Sequence, residues 1–372
     1  MTTTVAAGMR LENEAEAPSP ALLIYPHRVE RNLRRMLAIA GSPARLRPHV
    51  KTHKLPAIVA QQVALGITKA KGATIAEAEM AAGAGATDIL LAAQLVGPNV
   101  ARFIALQRAF PRVTFTTIAD DAGVLARLSQ AAGQAAVTIE VLLDLDVGQH
   151  RTGIEPGPEA FELYRQLASL PGLRPGGLHA YDGHLHQTDR AERAARCDGA
   201  FAGVAALRSE LVRAGQSVPR VVCGGTPTFP IHAQHEDVEC SPGTCVLWDA
   251  GYEARMPDLA FEPAAVLLTR VVSRPLANRL CLDLGHKAVA SEMPHPRVIF
   301  PDLPDARAVD HKEEHLVIET TRAAEFPVGA VLYGVPWHIC PTVALHDRVY
   351  VVKGGSITAE WSVTARARRL NF

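Results

Sequence analysis

The chain has 372 residues, 48% of them hydrophobic and 20% charged, which is enough for two packed domains and excludes a disordered or fibrous protein. Basic and acidic residues balance at 38 each, so no net field recruits nucleic acid or an anionic membrane, and small molecules are the expected partners. No window approaches the roughly 18 to 20 uninterrupted apolar residues that span a bilayer. The opening MTTTVAAGMRLENEAEAPSP lacks the apolar run and basic start of a signal peptide, which makes the cytoplasm the expected location. Six cysteines, at 197, 223, 240, 245, 281 and 340, contain no CxxC pair and point to buried thiols rather than a disulfide framework, with Cys340 set apart below.

From residue 21 to about 250, short β-rich runs alternate with alanine-rich helical stretches. ALLIY is followed by HRVERNLRRMLAIAG and LPAIVAQQVALG. ITKAKG is followed by TIAEAEMAAGAG, and the pattern continues through DILLAA, VTFTTIA, VTIEVLLDLD, GGLHAYDG and VPRVVCGG. This rhythm of βα units predicts an α/β fold with about eight strands, which suits a closed (β/α)8 barrel better than an open sheet, although periodicity alone does not settle closure. After about residue 255 the runs AAVLLTRVVSRP, RLCLDLGH, HLVIET, AVLYGV, RVYVVKGG and AEWSVTARARR are split by Pro, Gly and Asp and lose helical periodicity. They predict a second, C-terminal β domain over 256–372, after a barrel over 21–255.

The motifs of interest close apolar runs, where the functional groups of a parallel barrel collect. RPHVKTHK at 47–54 places Lys51 among other cations and histidines, a setting that lowers the proton affinity of an amine. A deprotonated amine is what imine formation with pyridoxal phosphate (PLP) requires. Taken alone, such a run is more often a solvated basic loop. Gly224, Gly225 and Thr226 can cradle a phosphate, since glycines let backbone N–H groups converge on an anion, although two glycines more often mark a plain turn. Arg151, in DVGQHRTG, is a permanent cation that can face a pyridine nitrogen or pair with Asp146. Tyr181, in HAYDGH, can pack on a cofactor ring, and His184 and His186 are candidate bases, in a chain whose 15 histidines must mostly be structural. His338 and Cys340 form an HxC pair. On an extended segment both side chains would share a face and bind one ion, with imidazole and thiolate favouring zinc.

Seven segments in order, RPHVKTHK (47–54), DVGQHRTG (146–153), HAYDGH (179–184), CGGTPTFP (223–230), ECSPGT (239–244), EEH (313–315) and HICPTVALHD (338–347), resemble the family of D-threonine aldolases and D-serine dehydratases, whose catalytic domain is similar to the alanine racemase barrel. The resemblance runs from about residue 20 to the C-terminus. It implies a barrel carrying PLP on Lys51, with Gly224, Gly225 and Thr226 on the phosphate and Arg151 at the pyridine nitrogen. It also implies a β domain to which the segment 1–20 adds a strand, a divalent metal on His338 and Cys340, and a homodimer. Cysteine at position 340 agrees with the zinc-dependent dehydratase branch, whereas aldolases usually carry aspartate there and use manganese or magnesium. With PLP on the amino group and a metal on the β-hydroxyl, the implied substrates are D-β-hydroxy-α-amino acids. Retro-aldol cleavage to glycine and an aldehyde is the first expectation. A D-serine or D-3-hydroxyaspartate dehydratase is the alternative, and a racemase or a non-catalytic PLP-binding protein stands behind both.

Overall fold

The computed structural model describes residues 8–372, so the first seven residues of the segment 1–20 lie outside the described residues. The chain divides into two compact units. One comprises the residues up to Arg34, Thr52–Leu55 and Thr244–Arg366; the other comprises Arg35–Lys51, Pro56–Gly243 and Ala367–Phe372. Among the described residues no helix is long and apolar enough to cross a membrane.

The strand β1 (Ala21–Ile24), expected at the head of the barrel, instead lies in a nine-stranded sheet in the first unit. Its four residues are all buried and pair antiparallel with β9 (Ala265–Ser273), while Leu23 and Ile24 pair parallel with a later strand, β15 (Arg348–Lys353). An apolar tetrapeptide buried on both faces reads the same in either kind of sheet, so its pattern could not assign it. Among the described residues before it, 8–20, there is no strand. Met9, Leu11 and Ala17 pack instead into a core with Leu23, Tyr25, Val266, Leu268 and Tyr333, and the Leu11 N–H donates to the Tyr333 hydroxyl at 3.0 Å.

The second unit holds seven parallel strands in chain order: β2 (Lys69–Gly72), β3 (Asp88–Gln94), β4 (Thr114–Ala119), β5 (Ile139–Leu145), β6 (Leu173–Ala180), β7 (Val221–Cys223) and β8 (Val238–Cys240). β5 is buried at every position, as befits a strand covered on both faces. Some of the helices between the strands start on side-chain caps. The Thr74 hydroxyl accepts from the Glu77 N–H at 3.1 Å, and Asp121 accepts from the Val124 N–H at 2.8 Å.

The eighth stave is irregular. Leu46 bridges Cys240 and His49 bridges Lys71, both in parallel sense, so residues 46–49 join β8 to β2 and close the ring. The Arg47 N–H donates to the Cys240 carbonyl and the Lys71 N–H to the Pro48 carbonyl, each at 2.9 Å. Pro48 has no N–H to give, which limits this stave to isolated bridges. The barrel expected from the sequence is therefore present, but its strands are not all those expected. Val238–Cys240 is too short, and with Glu239 at its centre too polar, to have stood out.

Arg47 holds the seam. Its side chain is fully buried and makes a two-pronged contact with Asp88 of β3, at 2.8 and 2.9 Å, and a third bond to Glu239 of β8 at 2.7 Å. Burial opposes its charge, but the two carboxylates outweigh that and raise its proton affinity. Arg47→Ala would leave a cavity, with Glu239 held by Lys69 alone and Asp88 by only a longer 3.7 Å contact to Arg220. We expect it to cost about 3 kcal/mol of stability, measured as a fall in the urea midpoint.

Candidate active site

Lys51 follows the closing stave by two residues, so the same bonds that shut the barrel fix where it emerges. A cavity of about 500 Å³ within this unit is lined by Lys51, Lys71, Arg151, Asp144, His179 and Tyr181, among others, a size suited to a small-molecule ligand. Three cations surround the Tyr181 ring: the Lys51 and Lys71 ammonium nitrogens lie 5.4 Å from its centroid and the Arg151 guanidinium carbon 5.2 Å. The expected grouping of Lys51, Arg151 and Tyr181 is thus a real juxtaposition.

Asp146 explains how Arg151 gets there. One of its carboxylate oxygens accepts from the N–H groups of Gly148, Gln149 and His150 at 2.9 to 3.0 Å, and the other meets the His150 ring at 3.0 Å. With Asp146 spent on shaping this loop, Arg151 is set over Tyr181.

The Gly-Gly-Thr loop touches the tyrosine from another side. A Cβ at Gly225 would lie 3.1 Å from the Tyr181 ring. Gly224 has φ +78°, and a Cβ there would meet the His232 ring at 2.7 Å, so only glycine fits. The N–H donors expected to converge on a phosphate have protein partners here: Gly224 donates to the Ala180 carbonyl at 3.1 Å, and Gly225 to the Thr228 hydroxyl at 3.3 Å. The Thr226 hydroxyl accepts from the Gly243 N–H at 3.3 Å. Neither His184 nor His186 lines the cavity. His184 packs towards Gly148, where a Cβ would come within 3.3 Å of its ring, and His186 is exposed.

Among the lining residues that escaped the sequence reading are His49, Lys71, Asp144 and His179. Strand register places them. Asp144 of β5 pairs directly with His179 of β6, and the His179 Nδ1 lies 2.7 Å from an Asp144 oxygen, both side chains being about 5% exposed. His49 bridges Lys71 in the same way. The available signal was a polar residue at the end of an otherwise apolar strand, as in VTIEVLLDL and GGLHA. Burial, then the Lys51 charge, bring the Lys71 pKa down to about 7, against opposition from Asp182 and Asp144. Burial, with the charges of Lys51 and Lys71, holds His49 well below its ordinary range and therefore neutral. An amine, a guanidinium, an aromatic ring and a buried imidazole whose Nε2 has no partner among the described residues fit a carbonyl-bearing aromatic cofactor such as PLP.

The His338/Cys340 pair lies in the other unit and is not on an extended segment. His338, with extended backbone, is the N-cap of the helix Ile339–Leu345, and Cys340 sits in its first turn. The His338 Nδ1 lies 2.5 Å from Glu292, while Cys340 sulfur lies 3.2 Å from the Thr52 hydroxyl and 3.4 Å from that of Thr244. Burial opposes a charge on His338, but the bond to Cys340 and the carboxylate of Glu292 raise it to about 9, and the same imidazole lowers the thiol of Cys340 despite its burial. A carboxylate on one imidazole nitrogen is the support a histidine ligand normally has, and with the Cys340 sulfur beside it these residues fit a divalent metal.

A third cluster joins Asp182, Cys197 and His232, all buried. Their ligand atoms lie within 4.8 Å of one another, a grouping that could hold a metal ion, and His232 Nε2 lies 2.7 Å from an Asp182 oxygen. Asp182 also accepts from the Thr228 hydroxyl at 2.8 Å. Through His232 and Thr228 the cluster sets the turn at Gly224 and Gly225.

Lys71 yields a pH test. Its proton affinity is lower folded than unfolded, so between about 7 and the ordinary 10.5 the unfolded chain holds a proton that the folded chain sheds, and stability rises with pH across that window. Lys71→Met should be more stable than the parent at about pH 7, with the advantage fading by about pH 10, as read from urea midpoints.

Residues 24–249 match the family model described as alanine racemase, N-terminal domain, and residues 264–352 that described as a putative serine dehydratase domain. The chain is 35% identical to the D-threonine aldolase of Arthrobacter sp, over 95% of this chain and 93% of that one. It is 29% identical to the D-threo-3-hydroxyaspartate dehydratase of Delftia sp. (strain HT23), over 88% of this chain and 92% of that one. It superposes on the crystal structure of D-threonine aldolase from Filomicrobium marinum with a TM-score of 0.88 at 32% identity, covering 95% and 96% of the two chains. The chain therefore belongs to the D-threonine aldolase and D-serine dehydratase-like family of PLP-dependent lyases, built on an alanine racemase-type barrel.

Proposed function

We propose that this protein is a PLP- and divalent-metal-dependent lyase that cleaves D-β-hydroxy-α-amino acids, D-threonine among them, into glycine and an aldehyde. The observation that carries this reading is the single cavity in which Lys51, Arg151 and Tyr181 meet, taken with 35% identity to an aldolase across nearly the whole chain. PLP, when bound, supplies an electron sink at the amino-acid carbon, and a divalent ion supplies a Lewis acid for the β-oxygen. Lys51 would hold the cofactor covalently, and Tyr181 would pack against it. Arg151, a guanidinium facing the ring, would keep the pyridine nitrogen unprotonated. Gly224, Gly225 and Thr226 would hold the phosphate, with the Gly225 N–H, on its long 3.3 Å bond, the donor most easily released to it. His338 and Cys340 would hold the metal.

One observation favours the second reading. The soft thiolate of Cys340 beside His338 suits zinc, and with a zinc ion drawing off the β-hydroxyl the same residues would serve a D-serine or D-3-hydroxyaspartate dehydratase. Family membership also supports a homodimer, for which light scattering should give about twice the 39.8 kDa of one chain.

Protein loaded with PLP and metal is incubated with D-threonine, beside a sample treated with EDTA. Glycine and acetaldehyde, lost with the metal, are the expected products, while 2-oxobutyrate and ammonia would favour the dehydratase. Cys340→Ala should lose its bound metal by elemental analysis and keep its PLP absorbance. Unchanged metal content would remove Cys340 from the ligand set.

A further inference from the structure

The loop read above as the phosphate site is braced by a buried carboxylate, and a carboxylate is an adverse neighbour for an anion. Strand register brings the two together. Ala180, the last residue of β6, pairs with Cys223, the last of β7, and the Gly224 N–H donates to the Ala180 carbonyl at 3.1 Å. Tyr181 and Asp182 therefore leave the sheet beside Gly224 and Gly225.

Asp182 is 3% exposed. One of its oxygens accepts from the Thr228 hydroxyl at 2.8 Å; the other lies 2.7 Å from His232 Nε2 and 3.8 Å from the Cys197 sulfur. Thr228 gives its hydrogen to Asp182, so its oxygen keeps a lone pair for the Gly225 N–H at 3.3 Å. His232 packs on the same turn, where a Cβ at Gly224 would meet the ring at 2.7 Å and the Thr228 hydroxyl oxygen at 3.1 Å. Gly225 in turn lies against the Tyr181 ring. Every partner of Asp182 that touches the turn is thus oriented by one carboxylate, and that carboxylate is the chain neighbour of the aromatic ring.

We infer that Asp182 is a positioning residue for the cofactor phosphate: acting through Thr228 and His232, it holds the Gly224–Gly225 turn at a fixed separation from the Tyr181 ring, so that ring and phosphate are received together. The inference rests on the PLP reading above. Charge and geometry make opposite demands at this position. Were charge all that mattered, removing the carboxylate would relieve repulsion and tighten PLP binding. Positioning predicts the reverse, because N–H donors that are no longer aimed at the phosphate lose most of their charge-assisted bond to it.

Comparison of PLP with pyridoxal, which lacks the phosphate, isolates the effect, since both present the same aldehyde to the lysine. Absorbance titration gives the two affinities for the parent, Asp182→Ala and Asp182→Asn, and their ratio cancels any change at Lys51. We expect Asp182→Ala to lose about 10- to 100-fold in PLP affinity while pyridoxal affinity stays within about 2-fold of the parent. Asp182→Asn, whose amide oxygen can still accept from Thr228, should fall between the two, and it decides the matter if the alanine variant does not fold. The phosphorus NMR signal of bound PLP should move in both variants. Equal losses for PLP and pyridoxal would mark a merely structural role and overturn the inference, as would an unchanged or tighter PLP affinity. A parent that prefers PLP, beside variants that keep the whole preference, would overturn the inference alone. A parent that binds pyridoxal as tightly as PLP would contradict the phosphate assignment itself, and the inference would fall with it.

Discussion

The barrel closes through four residues that are not a regular strand, and the chemistry at its mouth depends on that seam. Leu46 and His49 supply only isolated bridges, so much of the closure falls to the buried Arg47, held between Asp88 and Glu239. In water such pairs contribute little. Inside a barrel the buried guanidinium cannot turn to water, and its loss leaves Glu239 to Lys69 alone and Asp88 to the more distant Arg220. The seam fixes the register of His49 against Lys71 and, two residues on, the exit of Lys51. Stability and function are thus separated along one short stretch of chain, with Arg47 binding the staves and Lys51 serving the cavity.

The interior above that seam is more polar than a barrel core needs to be. Lys71, His49, Asp144, His179 and Asp182 are all buried, and the fold accommodates them in two ways. Some are paired: Asp144 with His179, and Asp182 with Thr228 and His232. Others shed charge: burial and neighbouring cations bring Lys71 to about 7 and hold His49 neutral. Neither device is as favourable as an apolar core would be. Polar groups kept at such a cost, and gathered at one end of parallel strands, are what a catalytic cavity requires.

Much of this was legible in the sequence, and the gaps have physical causes. The alternation of βα units gave an α/β fold of about eight strands and the family resemblance decided for a closed barrel, while motifs closing apolar runs gave Lys51, Arg151 and Tyr181, which do share a cavity. The pattern could not assign Ala21–Ile24, because a tetrapeptide buried on both faces looks alike in a barrel and in the other unit's sheet. It also could not reveal β8, whose three residues are too few for any period. The histidines in HAYDGHLH show the limit at the site: spacing alone offers three, and only the pairing of β6 with β5 shows that His179 faces Asp144 while His186 faces solvent. The HxC pair was expected on an extended segment, whereas His338 and Cys340 sit at a helix N-terminus, which a two-residue spacing does not reveal.

The central claim is that the lysine delivered by the seam is the cofactor lysine, although a second amine, Lys71, lies equally near the Tyr181 ring. Borohydride reduction of PLP-loaded protein, followed by proteolysis and peptide mass spectrometry, decides between them. The account predicts the phosphopyridoxyl mass on Lys51 alone. The same mass on Lys71, or on neither lysine, would contradict it.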